Sequence, residues 1–174
     1  TWVLDELDRE FTPLELQRMA PIYQNILDTY TFRNNKGNYI LCWDNGRYVN
    51  HSFNSNCLTT AYDFEIAIRD IQPGEQLTDD YRDFALDRDF PCSCGRVSCE
   101  GVVRVSDQKR GDEHRARLIE AALTRVWSVP QPLMHVAWDR SFFDALRAGA
   151  EWRAGRPRSS EAGFEGPWQI PLEI

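Results

Sequence analysis

Three cysteines stand close together in the segment Cys92-Ser93-Cys94-Gly95-Arg96-Val97-Ser98-Cys99. Three thiolates in so short a loop suit a tetrahedral zinc ion, which takes four ligands. The cluster itself does not identify the fourth ligand, for which Cys57, Cys42 and His114 are the candidates. The chain has five cysteines, and an odd number with one tight cluster favours thiols and a metal over a disulfide framework. A reducing, intracellular location is therefore expected, either cytoplasmic or, in a eukaryote, nuclear.

Two polar segments before the cysteines carry groups suited to binding and catalysis. The segment Arg47-Tyr48-Val49-Asn50-His51-Ser52 contains an Asn-His pair, and an asparagine amide offers two hydrogen-bond donors and an acceptor. The segment Gly74-Glu75-Gln76-Leu77-Thr78-Asp79-Asp80-Tyr81 ends in two carboxylates and a tyrosine. Because alternate residues of a strand share a face, we expect Asp79 and Tyr81 to point one way and Asp80 the other.

In this order and at this spacing, the three segments resemble the C-terminal half of a SET domain and its post-SET zinc loop. SET domains transfer methyl groups from S-adenosyl-L-methionine (AdoMet) to the side-chain amine of a protein lysine. The resemblance implies AdoMet and a structural Zn²⁺ as cofactors, and a lysine-bearing protein or peptide as substrate. It also implies a role for each matching residue: Tyr81 in catalysis, Arg47, Asn50 and His51 in cofactor binding, and Cys92, Cys94 and Cys99 in zinc binding.

Three features depart from the family pattern. Asp79 stands two positions before the tyrosine, where the family usually has an aromatic residue that helps to set the number of methyl groups added. In the substrate channel this carboxylate would hold the ammonium form of lysine or bind water, and a third alternative is that it faces solvent. Phe53 stands where many relatives have a cysteine ligand for zinc. No Gly-x-Gly segment precedes Trp2, so we expect the chain to lack the first part of the SET domain.

The patterns along the chain predict a mainly β fold with α-helices: a SET fold of short-stranded sheets and a pseudoknot, plus a helical C-terminal extension. We expect a partial SET domain over 1–89, a post-SET zinc loop over 90–102 and the extension over 103–174. Helical segments are expected over 13–30, with a kink or break at Pro21, and over 112–127 and 139–154. Strands are expected over 39–43, 62–69 and 75–81. The last strand follows a turn that contains Gly74.

The charge distribution bears on the kind of partner. The net charge is −7, and residues 1–101 hold 9 Lys and Arg against 17 Asp and Glu. An acidic front half argues against nucleic acid as the main ligand and is compatible with a basic peptide substrate. No apolar run is long enough to span a membrane. A catalytically inactive SET-like module that binds a peptide or partner protein is the main alternative function, and a zinc protein that binds nucleic acid is a weaker one.

Overall fold

The computed structural model describes residues 2–34, 36–60, 64–97, 99–107 and 113–136, together with Phe143, Asp144 and Arg147. Within this part of the chain the strands are short and form four small sheets. They are β1 (Trp2–Val3), β2 (Arg9–Phe11), β3 (Thr31–Arg33), β4 (Tyr39–Leu41), β5 (Asn50–His51), β6 (Cys57–Thr59), β7 (Phe64–Ala67), β8 (Thr78–Asp79), β9 (Phe90–Pro91) and β10 (Val102–Val103). The helices are α1 (Pro13–Arg18), α2 (Pro21–Tyr30) and α3 (Glu113–Thr124). The predicted fold class is confirmed.

The sheet topology brings segments together that are distant in sequence. Two three-stranded sheets have the orders β1-β7-β6 and β2-β4-β3, and β9 pairs with β10. The fourth sheet pairs β5 with β8 in parallel, so that Asn50 lies opposite Thr78 and His51 lies opposite Asp79. This pair places the Asn-His segment beside the strand that leads to Tyr81, as the family resemblance implies.

The first two helices begin where local rules place them. Thr12 caps α1 by accepting a hydrogen bond from the Glu15 backbone, and the Glu15 carboxylate accepts from the Thr12 backbone in return. Pro13 and Pro21 each occupy the first turn of a helix, where the missing N–H costs no hydrogen bond. The predicted break at Pro21 is confirmed as a separation into two helices.

The apolar stripe of these two helices is less buried than its helical spacing indicates. Leu27 is buried, and it is the only buried residue of α2. Tyr23 is 59% exposed and Ile26 is 43% exposed. Helical spacing predicted the helices but not the burial of this face. None of the described helices is long and apolar enough to cross a membrane.

The strand expected over 75–81 is shorter in the structure. Gly74 has a φ of +81°, a left-handed conformation that suits glycine, and the Glu75 N–H closes the turn on the Gln72 carbonyl. The strand then covers only Thr78–Asp79, because the Asp80 side chain accepts the Arg82 N–H and starts the 3₁₀ helix Tyr81–Asp83. Tyr81 therefore sits two positions after the strand, as the first residue of this 3₁₀ helix, on a backbone that turns.

The C-terminal helix α3 packs against the SET-like part through an apolar core. Ile119 and Leu123 of α3 join Leu58 of β6 and Phe64 of β7 in one buried cluster, with Phe143. The helix α3 therefore lies against the strands β6 and β7. The second C-terminal helix expected over 139–154 lies outside the described residues except at Phe143, Asp144 and Arg147, which are helical.

Candidate active site

A cavity of about 290 Å³ lies between the small sheets. Part of its wall is aromatic, and these side chains are Phe32, Tyr39, Tyr81, Phe84 and Phe90. Polar side chains also line it, among them Arg47, Thr59, Glu65 and Asp79. Such a mixture of apolar wall and a few convergent polar groups is the usual character of a ligand site. Asp79 and Tyr81 line the cavity and Asp80 does not, as strand alternation predicts.

Tyr81 is held at both its backbone and its hydroxyl. Its N–H donates to Nδ1 of His51 at 3.1 Å, and its hydroxyl donates to the carbonyl of Val49 in a short hydrogen bond. Burial, with smaller contributions from Asp79 and Glu65, raises the pKa of Tyr81 to about 12. The tyrosine therefore remains a neutral phenol at physiological pH, with its hydroxyl fixed in the cavity beside the Asn-His segment.

Of the three predicted cofactor residues, Arg47 lines the cavity with Tyr81 and His51 contacts Tyr81, whereas Asn50 and His51 are not among the residues that line the cavity. His51 is buried, and burial lowers its pKa, so that the ring is neutral near pH 7. Since Nδ1 accepts the Tyr81 N–H, the proton is assigned to Nε2, a buried atom without a hydrogen-bond partner among the described residues. Arg47 lines the cavity, and its buried Nε is also without such a partner. Asn50 is exposed, next to His51 in β5.

Asp79 is fully buried, with 0% exposure. Its carboxylate accepts hydrogen bonds from the Thr59 hydroxyl at 2.5 Å and from the Asp80 N–H at 2.7 Å. The alternative in which Asp79 faces solvent is therefore wrong, because this side chain points into the interior and lines the cavity. Burial raises its pKa above the ordinary value of 3.8, and its hydrogen bonds with Thr59 and Asp80 oppose that shift.

Glu65 is a cavity residue that the sequence analysis missed. The alternation of β7 correctly places Ile66 and Ile68 against the apolar core, which puts Glu65 on the opposite, polar face. That face meets the cavity rather than water, and the Glu65 side chain is hydrogen-bonded to Asp79. Burial raises the pKa of Glu65 well above its usual value, and the neighbouring Asp79 raises it further. A glutamate in the middle of an otherwise apolar strand was the available signal.

Asp80 has very different surroundings from those of Asp79. It forms a two-pronged ion pair with Arg82, and Arg115 of α3 donates to the same carboxylate at 2.9 Å. Arg115 also pairs with Asp83. Burial by itself would raise the pKa of Asp80, but the two arginines outweigh it and lower the pKa below 3.8. Asp80 is thus a permanent anion that ties α3 to the backbone around Tyr81.

The predicted zinc ligands Cys92, Cys94 and Cys99 are brought together by the structure. One ligand atom from each lies within 4.8 Å of the others, and the β9–β10 pair closes the base of their loop. The backbone N–H of Arg96 lowers the pKa of the Cys94 thiol to about 7, which favours the thiolate that binds a metal. The donor set fits zinc, with three of the four ligands supplied by the described residues.

Cys57 does not join this cluster in the described part of the chain. Its side chain is 1% exposed within β6, and burial raises the pKa of its thiol to about 12, which disfavours the thiolate needed for zinc. The geometry therefore gives no support to Cys57 as the fourth ligand. Phe53, at the position of the family's cysteine, packs its ring edge-on against His51 and under the guanidinium of Arg82, 4.8 Å from the ring centre.

Comparison with known protein families shows what the region that carries this site is similar to. Residues 4–82 match the family model described as "SET domain". This stretch, which is less than half of the chain, is therefore similar to a SET domain. The match includes Asn50, His51, Asp79 and Tyr81, and it ends at Arg82, before the cysteine cluster and α3.

The relatives of this chain are described as histone-lysine N-methyltransferases. TRX1 of Oryza sativa is 36% identical over 103 residues, which cover 52% of this chain and 10% of that protein. ASHR3 of Arabidopsis thaliana is 37% identical over 64 residues, covering 33% and 13%. An H3 lysine-4 specific enzyme of Schizosaccharomyces pombe is 34% identical over 93 residues, covering 47% and 10%. The similarity thus spans about a tenth of each relative's length.

Proposed function

We propose that this protein transfers methyl groups from AdoMet to the side-chain amine of a protein lysine. The observation that carries the proposal is the placement of Tyr81 in the cavity. Its hydroxyl donates a hydrogen bond to the Val49 carbonyl, and its backbone N–H donates one to the His51 ring. A neutral tyrosine there can orient an amine and contact a methyl group through weak C–H···O interactions. Correct orientation of reacting groups is worth several kcal/mol of the barrier.

The residues proposed to hold AdoMet are Arg47, Asn50 and His51. Arg47 offers a buried guanidinium nitrogen at the cavity wall, and His51 offers a buried ring nitrogen. Donors of this kind suit the carboxylate and other acceptors of an amino-acid tail and an adenine. When bound, AdoMet supplies an electrophilic methyl group on a sulfonium sulfur. This chain's part is to hold the cofactor, to align the lysine and to exclude water.

The cavity's composition supports lysine as the group that enters it. Aromatic rings of Phe32, Phe84 and Phe90 provide a wall for a long aliphatic chain, and the carboxyl groups of Glu65 and Asp79 suit its amino end. The acidic character of the molecule, with a net charge of −7, favours a basic protein segment as the partner. Because the relatives are named for histones, a histone tail is the first substrate class to test.

A structural zinc ion belongs to the proposal, with Cys92, Cys94 and Cys99 as three of its ligands. We divide the chain accordingly into a partial SET domain (1–89), a post-SET zinc loop (90–102) and a C-terminal extension (103–174). Support comes from the β9–β10 pair, which closes the loop, and from α3, which packs on the SET part beyond it.

The experiment is transfer of labelled methyl from AdoMet to a panel of histones and lysate proteins, with the full-length product of the gene. We expect label on lysine and a fall of about 100-fold in the Tyr81→Phe variant, since loss of one positioned hydroxyl commonly has that effect. Tyr23→Phe is the matched control, because Tyr23 is 59% exposed on α2. A folded, zinc-loaded protein that transfers no label would instead favour a SET-like module that binds a peptide.

A further inference from the structure

Two acidic side chains meet inside the cavity, from different sheets. Glu65 comes from β7 and Asp79 from β8, and both line the cavity with Tyr81. Their side chains are hydrogen-bonded to each other, and Thr59, which lies opposite Glu65 in the β6–β7 register, donates its hydroxyl to Asp79. An ionised carboxylate can only accept hydrogen bonds, so a bond between two carboxyl groups requires a proton on one of them. A pair that shares one proton in this way carries one negative charge.

The surroundings of this pair leave that proton in place. In the described part of the chain, no arginine or lysine forms an ion pair with Asp79; Arg115 acts on it only at longer range, through its contact with Asp80. The strand β1, which pairs with β7 beside Glu65, has no charged side chain. Among the described residues, charged and titratable groups that act on the pair electrostatically include Cys42, Asp44, Cys57, Tyr81 and Arg115, and Arg47 lines the same cavity.

We propose that the Asp79–Glu65 pair accepts the proton that the substrate lysine must lose before it can be methylated. The inference rests on the proposed function and assigns two residues that the SET pattern does not supply. One N–H bond of the lysine ammonium breaks, the proton adds to an unprotonated carboxylate oxygen of Asp79, and the bonding electrons remain on nitrogen as its lone pair. Both carboxyl groups are then protonated, and the extra proton returns to solvent after the product leaves.

A pair that shares a proton suits this task better than a single ionised carboxylate. A lone carboxylate beside an ammonium group stabilises the charged form of the lysine and so opposes the reaction. In a buried cavity, however, transfer of the proton replaces a carboxylate and an ammonium ion by neutral groups, and burial disfavours charged forms. The hydrogen bond from Thr59 and the one between the two acids hold the acceptor oxygens in place.

The two acids have different roles. Asp79 is the catalytic residue in this proposal. It stands two positions before Tyr81, lines the same cavity and contacts the substrate amine. Glu65 acts through Asp79: its protonated carboxyl donates a hydrogen bond to Asp79, which lowers the pKa of Asp79 and keeps its carboxylate available as the acceptor, so Glu65 is a positioning residue. The roles predict different effects of substitution on the pH dependence of the reaction, which a purely structural role would not produce.

The test is the pH profile of kcat/KM for methyl transfer by the full-length protein, from pH 6 to about pH 10, near the ordinary lysine pKa. We expect Asp79→Asn to lose about 100-fold at pH 7, the lower range for loss of a general base. The deficit should shrink to a few-fold near pH 10, because solvent then removes the lysine proton. Glu65→Gln should lose less and shift the acidic limb of the profile to higher pH, because a weaker hydrogen bond to Asp79 lets its pKa rise. Asp70→Asn and Glu120→Gln, both at exposed positions, should keep the wild-type profile.

The other outcomes also decide whether the inference stands. A deficit in Asp79→Asn that is equal at all pH values would mean that Asp79 only shapes the cavity. If that variant does not fold, the Glu65→Gln profile decides: a shifted acidic limb supports the proposal and an unshifted one overturns it. Wild-type transfer with unaffected variants overturns this inference alone, whereas a wild-type protein that transfers no methyl group overturns the proposed function and the inference together.

Discussion

Asp79 and Asp80 are neighbours in sequence and both are buried, yet they lie in opposite electrostatic surroundings. Asp79 contacts a second acid, Glu65, at the wall of the cavity. Asp80 faces two arginines, Arg82 and Arg115, on the other side of the strand. The pKa of Asp79 is raised above 3.8 and that of Asp80 is lowered below it. One residue keeps access to a proton, and the other is held as an anion.

The difference shows how one short strand serves both structure and chemistry. On the Asp80 side, a fixed charge joins the helix α3 and the residues around Tyr81, and Arg82 reaches on to Glu100 in the cysteine loop at 3.8 Å. On the Asp79 side, no arginine or lysine among the described residues forms an ion pair with Asp79, and its carboxylate lines the cavity. Because alternate strand residues face opposite ways, two adjacent carboxylates can be given these two environments without further backbone change.

Removing the negative charge of Asp80 is expected to have the largest effect on the free energy of unfolding. Asp80→Asn would leave the buried guanidinium groups of Arg82 and Arg115 without their shared charge, at side-chain exposures of 9% and 11%. Loss of one partner from a buried ion pair commonly costs about 3–5 kcal/mol. We expect urea unfolding, followed by circular dichroism, to show a decrease of this size. A decrease below about 1 kcal/mol, as for a surface pair, would mean that the network contributes little.

Removing one of the two arginines should have an intermediate effect. In Arg115→Gln, Asp80 keeps Arg82 but Asp83 loses its partner on α3, and an unsatisfied buried group costs about 1–3 kcal/mol. The matched control is Arg117→Gln, two residues along the same helix, where the side chain is 72% exposed and pairs with Glu113. That control should change the free energy of unfolding by less than about 0.5 kcal/mol. Equal effects of the two variants would contradict the assigned role of Arg115.

Removing the charge of Asp79 should change the free energy of unfolding little. The change should also depend on pH in the opposite direction from that of Asp80→Asn. Asp79→Asn keeps an acceptor for Thr59 and removes a buried charge, so we expect a change within about 1 kcal/mol at pH 7. A raised native pKa stabilises the fold at low pH, and this stabilisation is lost as the pH rises above 3.8 and through the raised native value. The contribution of Asp80, whose native pKa is lowered, is present above pH 3.8 and is lost as the pH falls.

This contrast is measured by urea unfolding of the wild type, Asp79→Asn and Asp80→Asn between about pH 2 and 8. The advantage of the wild type over Asp79→Asn should diminish as the pH rises above 3.8. Its advantage over Asp80→Asn should diminish as the pH falls below 3.8. Parallel trends for the two variants would mean that the two carboxylates do not differ as described.

The cysteine cluster lies outside the ion pairs of Asp80. Loss of its metal should therefore lower the free energy of unfolding of the whole protein least. Its three side chains are half-buried at most, so we expect loss of the metal to disorder the loop more than the fold. Cys94→Ser should reduce bound zinc, measured by elemental analysis, well below the wild-type level. Cys57→Ala should retain the wild-type level, because Cys57 lies outside the cluster. Zinc loss from Cys57→Ala, in protein that is otherwise folded, would restore Cys57 as a ligand.

Short-range patterns predicted those features that depend on short-range physics. The start of α1 follows from Thr12, Pro13 and Glu15, and the turn before β8 follows from Gly74. The nearness of Asn50 and Tyr81 did not follow from local rules, since it depends on a parallel strand pair between distant segments. It was expected only because the motifs resemble a family in which they meet.

The surroundings of the polar groups were the part that the sequence did not provide. Alternation in β7 separates Phe64 from Glu65 but does not say whether the polar face meets water or another acid. In the same way, nothing in the sequence of α3 marks Arg115 as the partner of Asp80, because that contact is set by how the helix packs. The apolar face of α2 shows the converse, since its helical spacing does not ensure burial.

The claim that sets this protein apart is that a proton is retained between Asp79 and Glu65 in the cavity while Asp80 is ionised. The most direct measurement is a carbon-13 NMR titration of the side-chain carboxyl groups in the full-length protein, with signals assigned through Asp79→Asn, Glu65→Gln and Asp80→Asn. We predict that the Asp79–Glu65 pair releases its last proton well above pH 3.8, and that Asp80 titrates below that value. Titration of all three groups together near their ordinary values would contradict the account.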